Sequence, residues 1–178
     1  EYVLKKAGCK AIVMAQNFKS SRYLEMIKSL APELSQCKPG NLISRKLPDL
    51  STVIVIGNEV QEDGVYPFSW LEAQACTPEN VRKRLEPITQ SLSSQDPINI
   101  QFTSGTTGAP KGATLTHMNI VNNARFVVER MNFSAKDRLC LPVPLYHCFG
   151  MVMGTLGCVS VGASIILPGA SFDAAEAL

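Results

Sequence analysis

Apolar and polar positions follow two rhythms along the chain: short apolar runs of strand length, and longer stretches with apolar residues at helical spacing. Residues 11–14 form the first run; after it Tyr23, Ile27, Leu30 and Ala31 recur at helical spacing. Ser20 or Ser21 is the expected cap of that helix and Pro32 its stop. The polar stretch 35–49, with Pro39-Gly40 and Pro48, reads as a connection. Thr52-Val53-Ile54-Val55-Ile56 is an unbroken β-branched run, the mark of a strand covered on both faces, ended by Gly57-Asn58. Residues 58–76 carry the weakest signal; Pro67-Phe68-Ser69-Trp70-Leu71 is a short helix or loop packed on the sheet. Thr77-Pro78-Glu79 starts the next helix with a capping hydroxyl, a proline at the first helical position and an acid at the positive helix end. Val81, Leu85, Ile88 and Leu92 continue its apolar spacing, and Pro87 is expected to kink or end it.

The second half repeats the alternation. After the polar link 91–96, Pro97 opens a strand over 98–102. Thr116 caps a helix whose apolar stripe is Ile120, Val121, Ala124, Val127, Val128 and Met131. A strand over 138–143, a loop over 144–150, a helix over 151–161 and a strand over 163–167 follow, and the chain ends partway into a helix at 175–178. Strands alternating with helices predict an α/β fold, largely a parallel β-sheet layered with helices. Residues 148–167 lack any charge and approach membrane-spanning length. Gly150, Gly154, Gly157 and Gly162 interrupt them, so a buried helix followed by a buried parallel strand is expected instead of a transmembrane segment.

Composition narrows the classes. The 178 residues are 46% hydrophobic and 18% charged, with a formal net charge of +2. That balance gives no electrostatic footprint for nucleic acid; Arg82, Lys83 and Arg84, beside Glu79 and Glu86, read as a solvated helix face. Of the six cysteines, Cys9, Cys140 and Cys158 sit in apolar stretches and are expected to be buried free thiols in a reducing compartment. Only His117 and His147 offer imidazoles, neither in a metal-binding pattern, so no protein metal site is predicted.

The chemistry is concentrated at residues 103–112, Thr-Ser-Gly-Thr-Thr-Gly-Ala-Pro-Lys-Gly. Gly105, Gly108 and Gly112 free the backbone to aim successive N–H groups at one anion, while Ser104, Thr106 and Thr107 add hydroxyls. Lys111 adds a mobile positive charge suited to polyphosphate. The Walker pattern fails because Lys111 follows Pro110 and precedes Gly112, and no G-x-G-x-x-G follows a strand. An ordinary Gly/Thr-rich turn needs far less than this density of donors.

Phe102 to Gly112 resembles the signature of the adenylate-forming (AMP-binding) enzymes, which include acyl-CoA synthetases, luciferases and peptide-synthetase adenylation domains. A second stretch, Pro144-Leu145-Tyr146-His147-Cys148-Phe149-Gly150, resembles the family's P-x-[aromatic]-H-x-x-G element. Residues 1–10, 96–102 and 112–123 are similar to the medium-chain acyl-CoA synthetase branch, which includes a mitochondrial vertebrate enzyme.

The resemblance implies that the chain is a partial large N-terminal domain over residues 1–178, without the C-terminal domain and its catalytic lysine. It implies a loop, Thr103, Ser104, Gly105, Thr106, Thr107, Gly108 and Lys111, that holds the β and γ phosphates of ATP. Lys111 and His147 are the catalytic candidates, and Tyr146 and His147 the residues beside the reacting carboxylate. The competing readings are a core ring for Tyr146, a hydrogen-bonded loop residue for His147 and a structural role for His117. The implied reaction takes a carboxylic acid, ATP with Mg2+, and coenzyme A through an acyl-adenylate to an acyl-CoA, in the mitochondrial matrix. No Tyr-Gly-x-Thr-Glu motif, ribose-binding Asp or hinge occurs in the sequence, so complete activity is not expected of these residues alone. Another adenylate former, with an amino acid or a luciferase-like substrate, and a noncatalytic interaction protein are the alternatives.

Overall fold

The computed structural model describes residues 1–57, 60, 62–74, 77–104 and 108–177, with the Glu176 side chain outside that set. The chain divides into two compact units, Glu1–Gln90 and Ser91–Leu178.

In the first unit, α1 (Tyr2–Lys6) leads into β1 (Ala11–Ala15), then α2 (Tyr23–Leu30) and a 3-10 turn, Pro32–Gln36. β2 (Thr52–Ile56) and β3 (Val65–Pro67) follow, and then α3 (Phe68–Ala73) and α4 (Pro78–Ser91). The sheet order is β1-β2-β3, parallel throughout. β2 is central and β-branched, and Val53, Ile54 and Val55 are buried on alternating faces, as its unbroken pattern predicts. α2 begins at Tyr23 with Arg22 as N-cap and no side-chain cap, so neither Ser20 nor Ser21 performs that role. Ser21 is tied instead into a small bridge with Phe18, two backbone hydrogen bonds of 2.9 Å that take the chain out of capping geometry.

The polar connection is more structural than its composition implies. Leu42, Leu47 and Leu50 join Leu24, Ile27, Leu34, Val53 and Val55 in one core. Complete burial of a leucine side chain contributes about 1.5–3 kcal/mol, so this segment anchors the unit. The Leu42 N–H donates to the Ser51 carbonyl (3.0 Å), and the Leu47 N–H donates to Oγ of the buried Ser44 (3.3 Å).

α4 starts as its sequence predicts, with the Asn80 N–H donating to Thr77 Oγ1 at 3.4 Å. It then runs unbroken through Pro87, against the expected kink or end. Its residues are exposed all round, so water can serve the carbonyl that the proline leaves unbonded. Val81, Leu85, Ile88 and Leu92 are therefore exposed, and Arg82, Lys83 and Arg84 occupy the solvated helix expected for them.

The second unit contains β4 (Pro97–Thr103), β5 (Lys111–Thr116) and α5 (His117–Arg130), then β6 (Arg138–Cys140). A π-helix, Phe149–Leu156, runs directly into α6 (Gly157–Val161), followed by β7 (Ser164–Ile166) and α7 (Ala174–Ala177). β6 and β7 pair in parallel, but β4 and β5 form an antiparallel hairpin. The strands thus lie in three small sheets, and the hairpin departs from the expected parallel order. Its cause is local: residues 104–110 are too few for the crossover that a parallel pair needs.

The α5 stripe buries Ile120, Ala124 and Val128 but leaves Val121 and Met131 exposed. The predicted helix at 151–161 begins earlier and is π-wound in its first part. Gly162 ends α6 in the left-handed conformation, φ 77°. β7 is parallel as expected but largely exposed, so it is not the buried strand predicted from its composition. Cys158 is buried, whereas Cys140 is exposed and Cys9 half-buried; Cys76 lies outside the described residues. Among the described residues no helix is long and apolar enough to cross a membrane.

Candidate functional site

The two ends of the glycine- and hydroxyl-rich run 103–112 lie side by side at the end of the β4–β5 ladder. The ladder runs to its end in register, with Phe102 opposite Gly112 and Thr103 opposite Lys111. The Thr103 hydroxyl donates to the Lys111 carbonyl at 3.5 Å, closing the neck of the loop. Thr103, Ser104, Gly108 and Lys111 are all exposed. Gly105, Thr106 and Thr107 lie outside the described residues. Gly108 has φ 157°, a conformation that side chains disfavour. Gly112 serves a different purpose from the backbone freedom expected of it. A Cβ there would sit 3.3 Å from the Phe102 ring and 3.1 Å from Ile100 Cγ2, so the glycine makes room for its cross-strand neighbour.

Directly opposed residues of an antiparallel pair share a face, and that face recurs every second residue. Asn99, Gln101 and Thr103 therefore lie on one side of the hairpin with Leu115, Ala113 and Lys111. This is the side that packs inward: Leu115 joins Ile120, Ala124 and Val152, and Asn99 Nδ2 lies 3.8 Å from Met151 Sδ. Asn99 was not among the sequence candidates. The signal was an amide flanked by Ile98 and Ile100, in a strand that alternates apolar residues with Asn99 and Gln101. Its Oδ1 is buried without a hydrogen-bond partner among the described residues, while its Nδ2 faces Met151 Sδ.

Met151 belongs to the segment that carries the second motif. Its N–H donates to the His147 carbonyl at 2.9 Å, and the His147 N–H donates to the Pro144 carbonyl at 3.2 Å. The loop turns back so tightly that a Cβ at Gly150 would fall 2.4 Å from the Pro144 carbonyl oxygen. That approach explains why the motif closes with glycine, and Tyr146 and His147 stand exposed between the two ends. Tyr146 is 84% exposed, which overturns the reading of its ring as a core residue. His147 is exposed, with Nδ1 accepting the Phe149 N–H at 3.2 Å and lying 3.7 Å from Cys148 Sγ.

His117 is the first residue of α5, in line with a structural place. Thr116 caps that helix through a reciprocal pair: the Asn119 N–H donates to Thr116 Oγ1 (3.2 Å) and the Thr116 N–H donates to Asn119 Oδ1 (2.9 Å). Asn119, without a role from sequence, completes the corner that joins the hairpin to α5. Among the described residues no three His, Cys, Asp or Glu side chains gather to hold a metal ion.

β4, the strand that leads into the hydroxyl- and glycine-rich run, thus touches through Asn99 the Met151 that follows the surface loop presenting tyrosine and histidine. The family model described as AMP-binding enzyme matches residues 1–178. The chain belongs to the AMP-binding enzyme family. Among its relatives in this family, the mitochondrial medium-chain acyl-CoA ligase ACSF2 of Homo sapiens is 45% identical over 185 aligned residues, covering 100% of the chain and 29% of that protein. The putative acyl-CoA synthetase YngI of Bacillus subtilis is 43% identical over 173 residues, covering 97% of the chain and 31% of the relative. The chain therefore spans less than a third of the curated AMP-binding relatives it matches. Among solved structures, the anthranilate CoA ligase AuaEII in complex with anthranoyl-AMP superposes with a TM-score of 0.68 at 24% identity, covering 95% of the chain and 28% of that structure. ATP-bound MatB from Rhodopseudomonas palustris gives 0.63 at 22% identity, covering 97% and 28%. These two likenesses establish the fold.

Proposed function

We propose that residues 1–178 are part of the large N-terminal domain of an acid–thiol ligase, which activates a medium-chain fatty acid with ATP and passes the acyl group to coenzyme A. The observation that carries this reading is the contact, within one unit, between Asn99 of β4, the strand leading into the 103–112 run, and Met151, which follows the Tyr146–His147 loop. An adenylating site needs a polyphosphate grip and a carboxylate seat in a fixed relation, and this contact supports such an arrangement.

In the reaction, a carboxylate oxygen attacks the α phosphate of ATP and expels pyrophosphate, giving an acyl-adenylate. The coenzyme A thiol then attacks the acyl carbonyl and AMP leaves. Phosphoryl chemistry of this kind asks for positioning and charge stabilisation more than for a protein nucleophile. The 103–111 loop and Lys111 hold the departing pyrophosphate, and preorganised donors act most strongly where charge develops. His147 places the carboxylate, and Tyr146 borders the acyl pocket. Mg2+ would accompany ATP as its counter-ion. Medium chain length, coenzyme A and a mitochondrial location are supported by the 45% identity to ACSF2, a mitochondrial medium-chain acyl-CoA ligase of vertebrates.

Acid-dependent exchange of labelled pyrophosphate into ATP by the full-length protein tests the reading, with fatty, aromatic and amino acids assayed with and without coenzyme A. Exchange with decanoate and thioester formation only when coenzyme A is added are expected. Exchange confined to amino acids would reassign the substrate, and no exchange with any acid would favour a noncatalytic role.

A further inference from the structure

We propose that the backbone locks His147 in its Nε2–H tautomer, so that the imidazole meets a ligand only as a hydrogen-bond donor. A neutral imidazole carries one proton, on either ring nitrogen, and the partner of one nitrogen decides the state of the other. The Phe149 N–H points at Nδ1 from 3.2 Å. A backbone N–H can donate but cannot accept, so Nδ1 must present its lone pair. The Cys148 thiol, 3.7 Å from the same nitrogen, is compatible because sulfur carries a hydrogen it can donate. The proton is therefore on Nε2.

The lock is local and firmly seated. It spans two residues, and the turn that carries it is held by the hydrogen bonds from His147 to Pro144 and from Met151 to His147. Gly150, packed under the Pro144 carbonyl, leaves no room for the turn to relax inward. The side chain is exposed, and among the described residues Nε2 has no hydrogen-bond partner, so its N–H is available to a ligand.

Two consequences follow for the chemistry. The ligand atom at His147 must be an acceptor, such as a carboxylate or acyl oxygen, and an amine or ammonium donor would be refused there. The ring also cannot take a proton from a ligand at Nε2, which already holds one; its role is to place and polarise. The tautomer itself is independent of the proposed reaction, whereas the identity of the acceptor as the substrate acid rests on it.

The chain has two histidines, so an H117Q variant leaves one imidazole to observe. In the labelled 178-residue chain, two-bond 15N–1H correlations of neutral His147 should show protonated Nε2 and unprotonated Nδ1. A protonated Nδ1, or an even mixture, overturns the proposal. The second arm uses the full-length protein, with decanoate as the probe and pyrophosphate exchange as the readout. The amide NH2 of glutamine reaches the place of Nε2 and can donate. Asparagine puts its carbonyl at the place of Nδ1, keeps the Phe149 hydrogen bond and offers nothing beyond it. H147Q should stay within about 10-fold of the parent, while H147N, lacking the donor, should fall by about 100-fold or more. Equal loss in both variants overturns the donor role. Absence of exchange in the parent would instead refute the proposed reaction and leave the spectroscopic result standing.

Discussion

Lys111 opens β5 at the neck of the hairpin, exposed, with its carbonyl engaged by the Thr103 hydroxyl. Its side chain supports no core, so Lys111→Ala should separate chemistry from folding. We expect acid-dependent pyrophosphate exchange to fall by about 100-fold, the usual scale for losing one preorganised charge-stabilising group. Stability should stay within about 0.5 kcal/mol, as for other surface substitutions. Thermal melts run beside the exchange assay decide it, and unchanged kinetics would remove Lys111 from the mechanism. Cys158 offers a contrast: it is fully buried, and burial pushes its thiol up from the ordinary value. Mass-mapped alkylation of the native chain should modify Cys140 and Cys148 first and reach Cys158 only on unfolding.

At the scale of elements, the strand-to-helix corner of the second unit depends on the Thr116–Asn119 pair. Thr116→Ala should destabilise that unit by about 1 kcal/mol, and restoring serine should recover most of it; denaturant titration monitored by circular dichroism measures both. The 3-10 turn of the first unit carries a pH-sensitive tie. Glu33 accepts the Arg45 N–H at 3.2 Å, and hydrogen bonds from its own and the Arg45 backbone N–H hold its carboxyl below the usual carboxylate range. A folded value below the unfolded one means that the tie stabilises fully above the unfolded pKa and is lost as pH falls through the folded pKa. Glu33→Gln should therefore weaken the fold at neutral pH and flatten its acid dependence as pH falls through the carboxylate range. Trp70, stacked on Tyr66 with ring centroids 3.9 Å apart, is the chain's single tryptophan and a natural fluorescence reporter for that titration.

These elements also show what the sequence could and could not say. The Thr116 and Thr77 caps, the buried β2 run and the two surface motifs announce themselves through local chemistry, because each rests on neighbours within a few residues. The hairpin does not. Its second strand, Lys-Gly-Ala-Thr-Leu-Thr, has one large apolar residue, and only pairing with β4 makes it a strand. Leu42, Leu47 and Leu50 hide in a polar connection because a core position reached by a loop has no periodicity. Tyr146 and His147 are legible as residue types, but their presentation depends on the Pro144–Gly150 approach, which no spacing rule encodes.

On the scale of the whole chain, apolar side chains remain uncovered in both units. Val81, Leu85 and Ile88 line one helix, and Leu92, Ile98, Ile100, Val121 and Phe126 are exposed in the second unit. This fits the proposal that residues 1–178 belong to a larger domain whose remaining parts bring the adenine, ribose and acyl-tunnel contacts. The 178-residue chain, purified alone, should accordingly fail to form a thioester from decanoate, ATP and coenzyme A, even where the full-length protein succeeds. Thioester formation by the short chain would show that these residues suffice.

The π-helix adds a matter of bearing. Each of its closing hydrogen bonds spans one residue more than in an α-helix, and the Thr155 hydroxyl bonded to the Gly150 carbonyl (3.0 Å) reaches across that wider turn. A residue of helix is worth about 100° of rotation. The surplus winding therefore acts as a fixed angular offset between the packed end, where Val152 and Leu156 meet the core, and the entrance, where His147 stands. Loss of one residue from this segment would let the packed end keep its seat while the imidazole swung round the axis. The compass direction of the site is thus written in the winding of a helix, several residues from the ring it aims.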